Sequence, residues 1–195
     1  MPGKTNSLTA IIDRKLDTAK FREQHWEGSL TEYLDIVLEN PNVARNAFQR
    51  AYDMILSYGA ETYTQFKQES NRYRFFADPF ESGADAIYGL ERPLMQLVDF
   101  FKSAAQGYGT EKRILLLHGP VGSSKSTIAR LLKKGLEHYS RTDAGKLYTY
   151  LWRLPPRAGR DEGETFLECP MHEDPLLLIP REARAEVLDA INEKL

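Results

Sequence analysis

From Ser29 onward, apolar residues return with a helical period. Tyr33, Leu34, Val37 and Leu38 share one face, and Ser29 with Glu32 three residues later forms a capping box. A helix is therefore predicted from Ser29 to the Asn40-Pro41 corner. There Asn caps a second helix and Pro takes its first position. Val43, Ala44, Ala47, Phe48, Ala51, Tyr52, Ile55 and Leu56 make the apolar stripe of that second helix, and Gly59 is placed to stop it. Residues 61–86 are charged and aromatic, then turn-like at Asp78-Pro79 and Ser82-Gly83. A further helix carries Leu94, Leu97, Val98 and Phe101 and closes at Gly107 and Gly109.

The pattern changes after Arg113. Ile114–Leu117 is a short, unbroken apolar run, the form of a strand buried on both faces of a parallel sheet. A Gly/Ser loop follows, then a helix with Ile128, Leu131, Leu132, Leu136 and Tyr139 on one side. Leu147–Leu151 is a candidate second strand, residues 153–165 a polar loop, and Val187, Leu188 and Ile191 mark a last helix after Pro180. Strand, loop, helix and strand in that order open an α/β domain. The expected organisation is an N-terminal arm over 1–28, a small helical region over 29–80, and an α/β domain over 81–195.

Composition narrows the function classes. Of the 195 residues, 42% are apolar and 28% charged, as in soluble globular proteins. Lys and Arg total 26 against 28 for Asp and Glu, a net charge of −2. That leaves no basic excess for a broad nucleic-acid footprint. The longest aliphatic runs, Ile114–Leu117 and Leu176–Ile179, fall far below the ~20 residues of a spanning helix. The start is polar, and Pro2 excludes myristoylation. The single cysteine, Cys169, fits a reducing compartment. A cytoplasmic protein with neither a membrane nor a nucleic acid as partner is expected.

The most informative segment is Gly119-Pro-Val-Gly-Ser-Ser-Lys-Ser126, set between the apolar run and the helix. It matches the phosphate-loop pattern G-x-x-x-x-G-K-[ST] except that Ser124 replaces the second glycine. In such a loop, successive backbone N–H groups form an anion-binding hollow and the helix adds its positive dipole end. The candidate nucleotide-binding residues are Gly119, Pro120, Val121, Gly122, Ser123, Ser124, Lys125, Ser126 and Thr127. Lys125 is placed to reach the β- and γ-phosphates, the Ser126 hydroxyl to ligate Mg²⁺, and Thr127 to support the first helical turn. ATP and Mg²⁺ are the expected cofactors. The bland alternative is a glycine-rich strand–helix turn with a surface lysine.

These residues resemble the AAA+ branch of P-loop ATPases. Ile87-Tyr88-Gly89-Leu-Glu91 is similar to the segment that packs around adenine there, which implies a binding role for Tyr88 and Gly89. The resemblance narrows with Trp26-Glu-Gly, Asn40-Pro41, Gly135-Leu-Glu-x-Tyr-Ser-Arg-Thr-Asp143 and, most specifically, Cys169-Pro-Met-His-Glu-Asp-Pro-Leu176. Together these resemble the N-terminal part of the PrkA family, bacterial proteins usually described as serine protein kinases. The resemblance covers most of residues 26–190. It implies a P-loop NTPase (AAA+) parallel-sheet core, incomplete here and preceded by the small helical region. It further implies ATP binding coupled to phosphorylation of serine or threonine in protein substrates, and a possible homo-oligomer. No apolar strand ending in an acidic pair follows Ser126, so 81–195 is expected to be a partial ATP-binding domain truncated before its Walker B motif. An AAA+ ATPase or ATP-dependent protease-type protein without kinase activity is the alternative. A non-enzymatic helical interaction module over 29–59 is a third reading. The familiar protein-kinase motifs are missing: Gly107-Tyr-Gly109 lacks its third glycine, Asp99-Phe-Phe lies within a helical pattern, and no His-Arg-Asp occurs.

Three other groups carry chemistry. Cys169, His172, Glu173 and Asp174 have the residue types of a zinc site, but no second Cys/His pair accompanies them; a place beside the nucleotide or at a subunit interface, or a purely structural turn, are the other readings. His118 is either a phosphate sensor or a satisfied, partly buried histidine. Arg141 and Asp143 could pair with each other or with a neighbouring subunit.

Overall fold

Ser29 starts the first helix by the reciprocal bonds its sequence encodes. Its hydroxyl accepts from the Glu32 N–H at 3.3 Å, and the Glu32 carboxylate accepts from the Ser29 N–H at 2.7 Å. In a computed structural model, residues 25–65, 68–154 and 165–193 are described. The chain divides into two units, one built from Met1–Asn40 with Tyr148–Leu195, the other from Pro41–Leu147. Residues 1–24, most of the expected N-terminal arm, and 155–164, most of the expected polar loop, lie outside the described residues.

In the first unit, helix α1 (Leu30–Glu39) buries Tyr33 and Val37. The Tyr33 ring leans on Tyr148 at 5.3 Å between centroids, and Trp26 meets Tyr148 edge-on at 5.5 Å. A 3-10 turn at Pro175–Leu178 leads to the last helix, Arg181–Asn192, in which Ile191 is buried. The unit also holds a short antiparallel hairpin of Leu151–Leu154 with Thr165–Glu168, paired Trp152 to Leu167. Both faces of that hairpin are exposed.

The second unit carries the larger core. Helix α2 (Ala47–Ser57) is followed by an antiparallel hairpin of β1 (Ala60–Gln65) and β2 (Gln68–Tyr73), then by a 3-10 turn at Arg74–Ala77. Helices α3 (Glu91–Ala105) and α4 (Lys125–Tyr139) complete it. Met54 and Ile55 of α2, Phe75 and Phe76 of the turn, Leu94, Leu97 and Val98 of α3, and Ile128 and Leu131 of α4 form one buried cluster. Each such side chain removed from water contributes about 1.5–3 kcal/mol. Gly135 lets α4 approach closely: a Cβ there would lie 2.5 Å from the Met54 Sδ and from the Phe75 ring. At the end of α4, the buried Arg50 guanidinium donates to the Ser140 hydroxyl at 3.0 Å and the Gly145 carbonyl at 2.8 Å.

The α/β character holds in coarse form, with differences in detail. The second helix begins at Ala47, not at Pro41: Asn46 accepts from the Phe48 and Gln49 N–H groups and Gln49 reciprocates, a capping box that wins over the Asn40-Pro41 signal. Pro41–Ala44 forms only a 3-10 turn. Within the region expected to be helical up to residue 80 lies the β1–β2 hairpin. The expected parallel sheet is not formed among the described residues. Ile114–Leu117 carries no ladder, and Ile114 and Leu116 are 95% and 78% exposed. A strand buried on both faces needs a neighbour along each edge and a layer over each face, and among the described residues this run has no neighbouring strand. Likewise the expected strand at Leu147–Leu151 starts only at Leu151, and its pairing is antiparallel.

Candidate functional site

The segment between the apolar run and α4 is shaped by residues in the left-handed region. Gly122 has φ +83 and Ser124 has φ 55, ψ 15. These two turns swing the chain so that α4 begins at Lys125 with Ser124 as its N-cap. The first helical bond runs from the Ile128 N–H to the Ser124 carbonyl at 2.9 Å. The N–H groups of Lys125, Ser126 and Thr127 thus point out of the helix end without intrahelical acceptors, where the helix dipole is positive.

The Lys125 side chain folds back onto its own loop. Its ammonium donates to the Gly119 carbonyl at 2.8 Å, the Pro120 carbonyl at 2.6 Å and the Ser123 hydroxyl at 2.9 Å. Ser123 in turn donates from its hydroxyl to the Pro120 carbonyl at 2.8 Å. Gly119 is needed for this closure, because a Cβ there would come within 2.8 Å of the Ser123 Oγ. A fixed cation, three outward N–H groups and a small-residue rim together suit a multiply charged oxyanion such as a polyphosphate. Ser126 is exposed, so its hydroxyl is available as one oxygen ligand of a hard cation held by that polyphosphate. Thr127 is half-buried and Ile128 buried, which seats this first turn on the core.

The other sequence candidates sort as follows. Val121 and Pro120 are exposed on the loop rim. Tyr88 is 81% exposed and Gly89 adopts φ +73 with open space around it, while Ile87 beside them is buried in the core. His118 is exposed. Arg141 pairs with Glu137 at 2.8 Å and Asp143 with Lys146 at 2.9 Å.

The Cys169–Asp174 string reads in the structure as a tightly bonded turn. Cys169 is buried, and its carbonyl accepts from the N–H of His172, which has φ 49. The Glu173 N–H and then the Tyr150 hydroxyl bond the thiol and hold its pKa below the usual cysteine value. The contact with Cys169 first, then burial and the Glu173 carboxylate, which accepts from the hydroxyl at 3.2 Å, push the Tyr150 phenol up to about 12. Asp174 accepts from the buried Tyr33 hydroxyl at 3.0 Å and from the Leu176 N–H at 2.8 Å, tying the string to α1. Among the described residues no three His, Cys, Asp or Glu side chains converge as metal ligands. No helix among them is long and apolar enough to cross a membrane.

Two features of the loop escaped the sequence reading. The left-handed backbone at Ser124 is foreshadowed by the glycine that the motif prefers there. The engagement of Ser123 with Lys125 has no signal in the pattern, whose fourth intervening position admits any residue.

Residues 28–193 match the PrkA AAA domain family. The chain is 40% identical over 176 residues to a Bacillus subtilis protein named ATP-dependent protease PrkA, covering 89% of this chain and 24% of that protein. It is 33% identical over 110 residues to the Escherichia coli protein named serine/threonine kinase YeaG, covering 55% of this chain and 17% of the relative. An uncharacterised Geobacillus stearothermophilus protein is 38% identical over 106 residues, 53% of this chain and 98% of its own length. The chain thus spans about a quarter of the length of the Bacillus relative. No solved structure matches it.

Proposed function

The chain belongs to the PrkA AAA domain family, and from that premise we propose that residues 119–127 hold the phosphates of Mg²⁺-ATP. In this reading the chain is the nucleotide-binding portion of a serine/threonine protein kinase that couples ATP binding or hydrolysis to phosphorylation of protein substrates. The observation that carries it is Lys125, the first residue of α4, whose ammonium is held against the loop by the Gly119 and Pro120 carbonyls. Lys125 would engage the β- and γ-phosphates, the first-turn N–H groups would orient them, and Ser126 would supply one ligand to Mg²⁺. The cation would neutralise charge on the transferring phosphoryl group when bound. Tyr88 and Gly89 would flank the adenine. Protein substrates and assembly into a homo-oligomer belong to the same proposal.

A second reading has its own support, since the Bacillus relative is named for ATP-dependent proteolysis rather than for a kinase. Both readings share the nucleotide site. They separate in the full-length protein: transfer of labelled phosphate from ATP to a protein substrate supports the kinase, and ATP-dependent peptide release without transfer supports the protease. For this chain, saturable binding of a fluorescent ATP analogue with Mg²⁺ is expected. Its absence, with the fold intact by circular dichroism, would overturn the nucleotide assignment.

A further inference from the structure

The Lys125 ammonium has three N–H donors, and all three are engaged within its own loop. Two acceptors are main-chain carbonyls, of Gly119 and Pro120, fixed by the path of the loop. The third is the Ser123 hydroxyl, which can swing away by changing its χ1 rotamer. The Pro120 carbonyl has two lone pairs yet faces three donors: the Lys125 ammonium at 2.6 Å, the Ser123 hydroxyl at 2.8 Å and the Ser123 N–H at 3.4 Å. In that crowd the hydroxyl is the readily released partner. Any phosphate oxygen that reaches Lys125 must take an N–H already in use, and of the three acceptors only the Ser123 hydroxyl can leave without moving the backbone.

Resting on the phosphate-site reading above, we propose that Ser123 sets the phosphate affinity of the loop by holding the third N–H of Lys125 until a phosphate oxygen displaces it. The exchange runs forward because a charged oxygen accepts more strongly than a neutral hydroxyl. Its gain is reduced by the bond it replaces. Ser123 is therefore a positioning residue: it adds the third bond to the two carbonyl bonds that hold Lys125 against the loop, and it weakens phosphate binding by the value of that one hydrogen bond. The effect is confined to ligands with phosphates at the β position or beyond, because those are the ones Lys125 reaches.

The test is calorimetric titration of the chain with Mg²⁺ and, separately, ADP, inorganic pyrophosphate and AMP, using wild type, Ser123→Ala, Ser123→Thr and Lys125→Ala. Ser123→Ala should bind ADP and pyrophosphate about two- to tenfold more tightly, the fold-change one net neutral hydrogen bond represents. AMP affinity should not change, and Ser123→Thr, which keeps the hydroxyl, should match wild type. Equal or weaker pyrophosphate binding by Ser123→Ala overturns the proposal, as does equal tightening for AMP, which would signal a general loosening of the loop. Lys125→Ala separates the two levels. If it loses ADP binding while Ser123→Ala gains none, only the role of Ser123 fails. If it binds ADP like wild type, or if no variant binds any of the three, the phosphate-site reading itself fails and the role of Ser123 falls with it.

Discussion

Ser124 occupies a backbone conformation that L-residues avoid, and replacing it isolates that feature. At φ 55 and ψ 15 its Cβ crowds the following carbonyl, a conformation that costs roughly 1–2 kcal/mol for a residue with a side chain. Ser124→Gly removes that strain. The greater freedom of glycine in the unfolded chain takes back about 0.5–1 kcal/mol. The net gain is about 0.5–1 kcal/mol, which for a chain of this length raises the melting temperature by roughly 1–4 °C. Ser124→Ala keeps a Cβ and should gain nothing. Gly122→Ala gives the opposite sign: nothing lies within 4 Å of the added methyl, so strain of about 1–2 kcal/mol at φ +83, less about 0.5–1 kcal/mol gained by restricting the unfolded chain, leaves a net loss of about 0.5–1 kcal/mol. Both tryptophans among the described residues, Trp26 and Trp152, lie outside the unit that holds the loop. Far-ultraviolet dichroism, which follows α2, α3 and α4, is therefore the proper probe. A destabilised Ser124→Gly, or a Ser124→Ala as stable as the glycine variant, would refute this reasoning.

Gly135→Ala should destabilise the second unit by about 1–3 kcal/mol, the usual range for overpacking, because its methyl meets the Met54 Sδ and the Phe75 ring at 2.5 Å; thermal unfolding checks it, and an unchanged midpoint would contradict the close α2–α4 approach. Tyr33→Phe removes the hydroxyl that donates to Asp174 at 3.0 Å and should cost the first unit about 1.5–3 kcal/mol, as for a hydrogen bond to a charged group, read by tryptophan fluorescence in urea. Asp85, bonded first by Arg130 and then by Lys134, is held down to about 2 against its ordinary 3.8. Between those values the unfolded chain binds the proton that the folded chain refuses, so the stabilisation present above about pH 4 is lost as pH falls through about 2. The acid limb of a pH–melting curve should flatten in Asp85→Asn; an identical slope would show the carboxylate contributes nothing.

Much of the helical scaffold was legible because its signals are local. The Ser29–Glu32 box, the Leu94–Phe101 face and its closing glycines, and the Ile128–Tyr139 stripe each specify an element within a few residues. The second helix start was misplaced because two cap signals compete and the later one, Asn46 with Gln49, closes a reciprocal capping box on the first-turn donors. The β1–β2 hairpin was hidden by its polar composition: Ala60–Gln65 and Gln68–Tyr73 lack the apolar alternation that marks a half-buried strand. For Ile114–Leu117 the pattern specified burial, but burial depends on neighbouring strands, a non-local condition that no short run encodes. The Gly/Ser loop at 119–124 and the helix that follows it were readable in residue type and order. The loop's internal hydrogen bonds were not, because they depend on side-chain rotamers that follow from the left-handed turns at Gly122 and Ser124.

The most direct test of the account is the affinity of the chain for a fluorescent ATP analogue with Mg²⁺, compared with that of Lys125→Ala. Loss of a charge-assisted contact to phosphate is worth about 1.5–3 kcal/mol, so the variant should bind about ten- to a hundredfold more weakly, or below detection. Equal affinity in the two proteins, with both folded, would contradict the assignment of residues 119–127 as the nucleotide site.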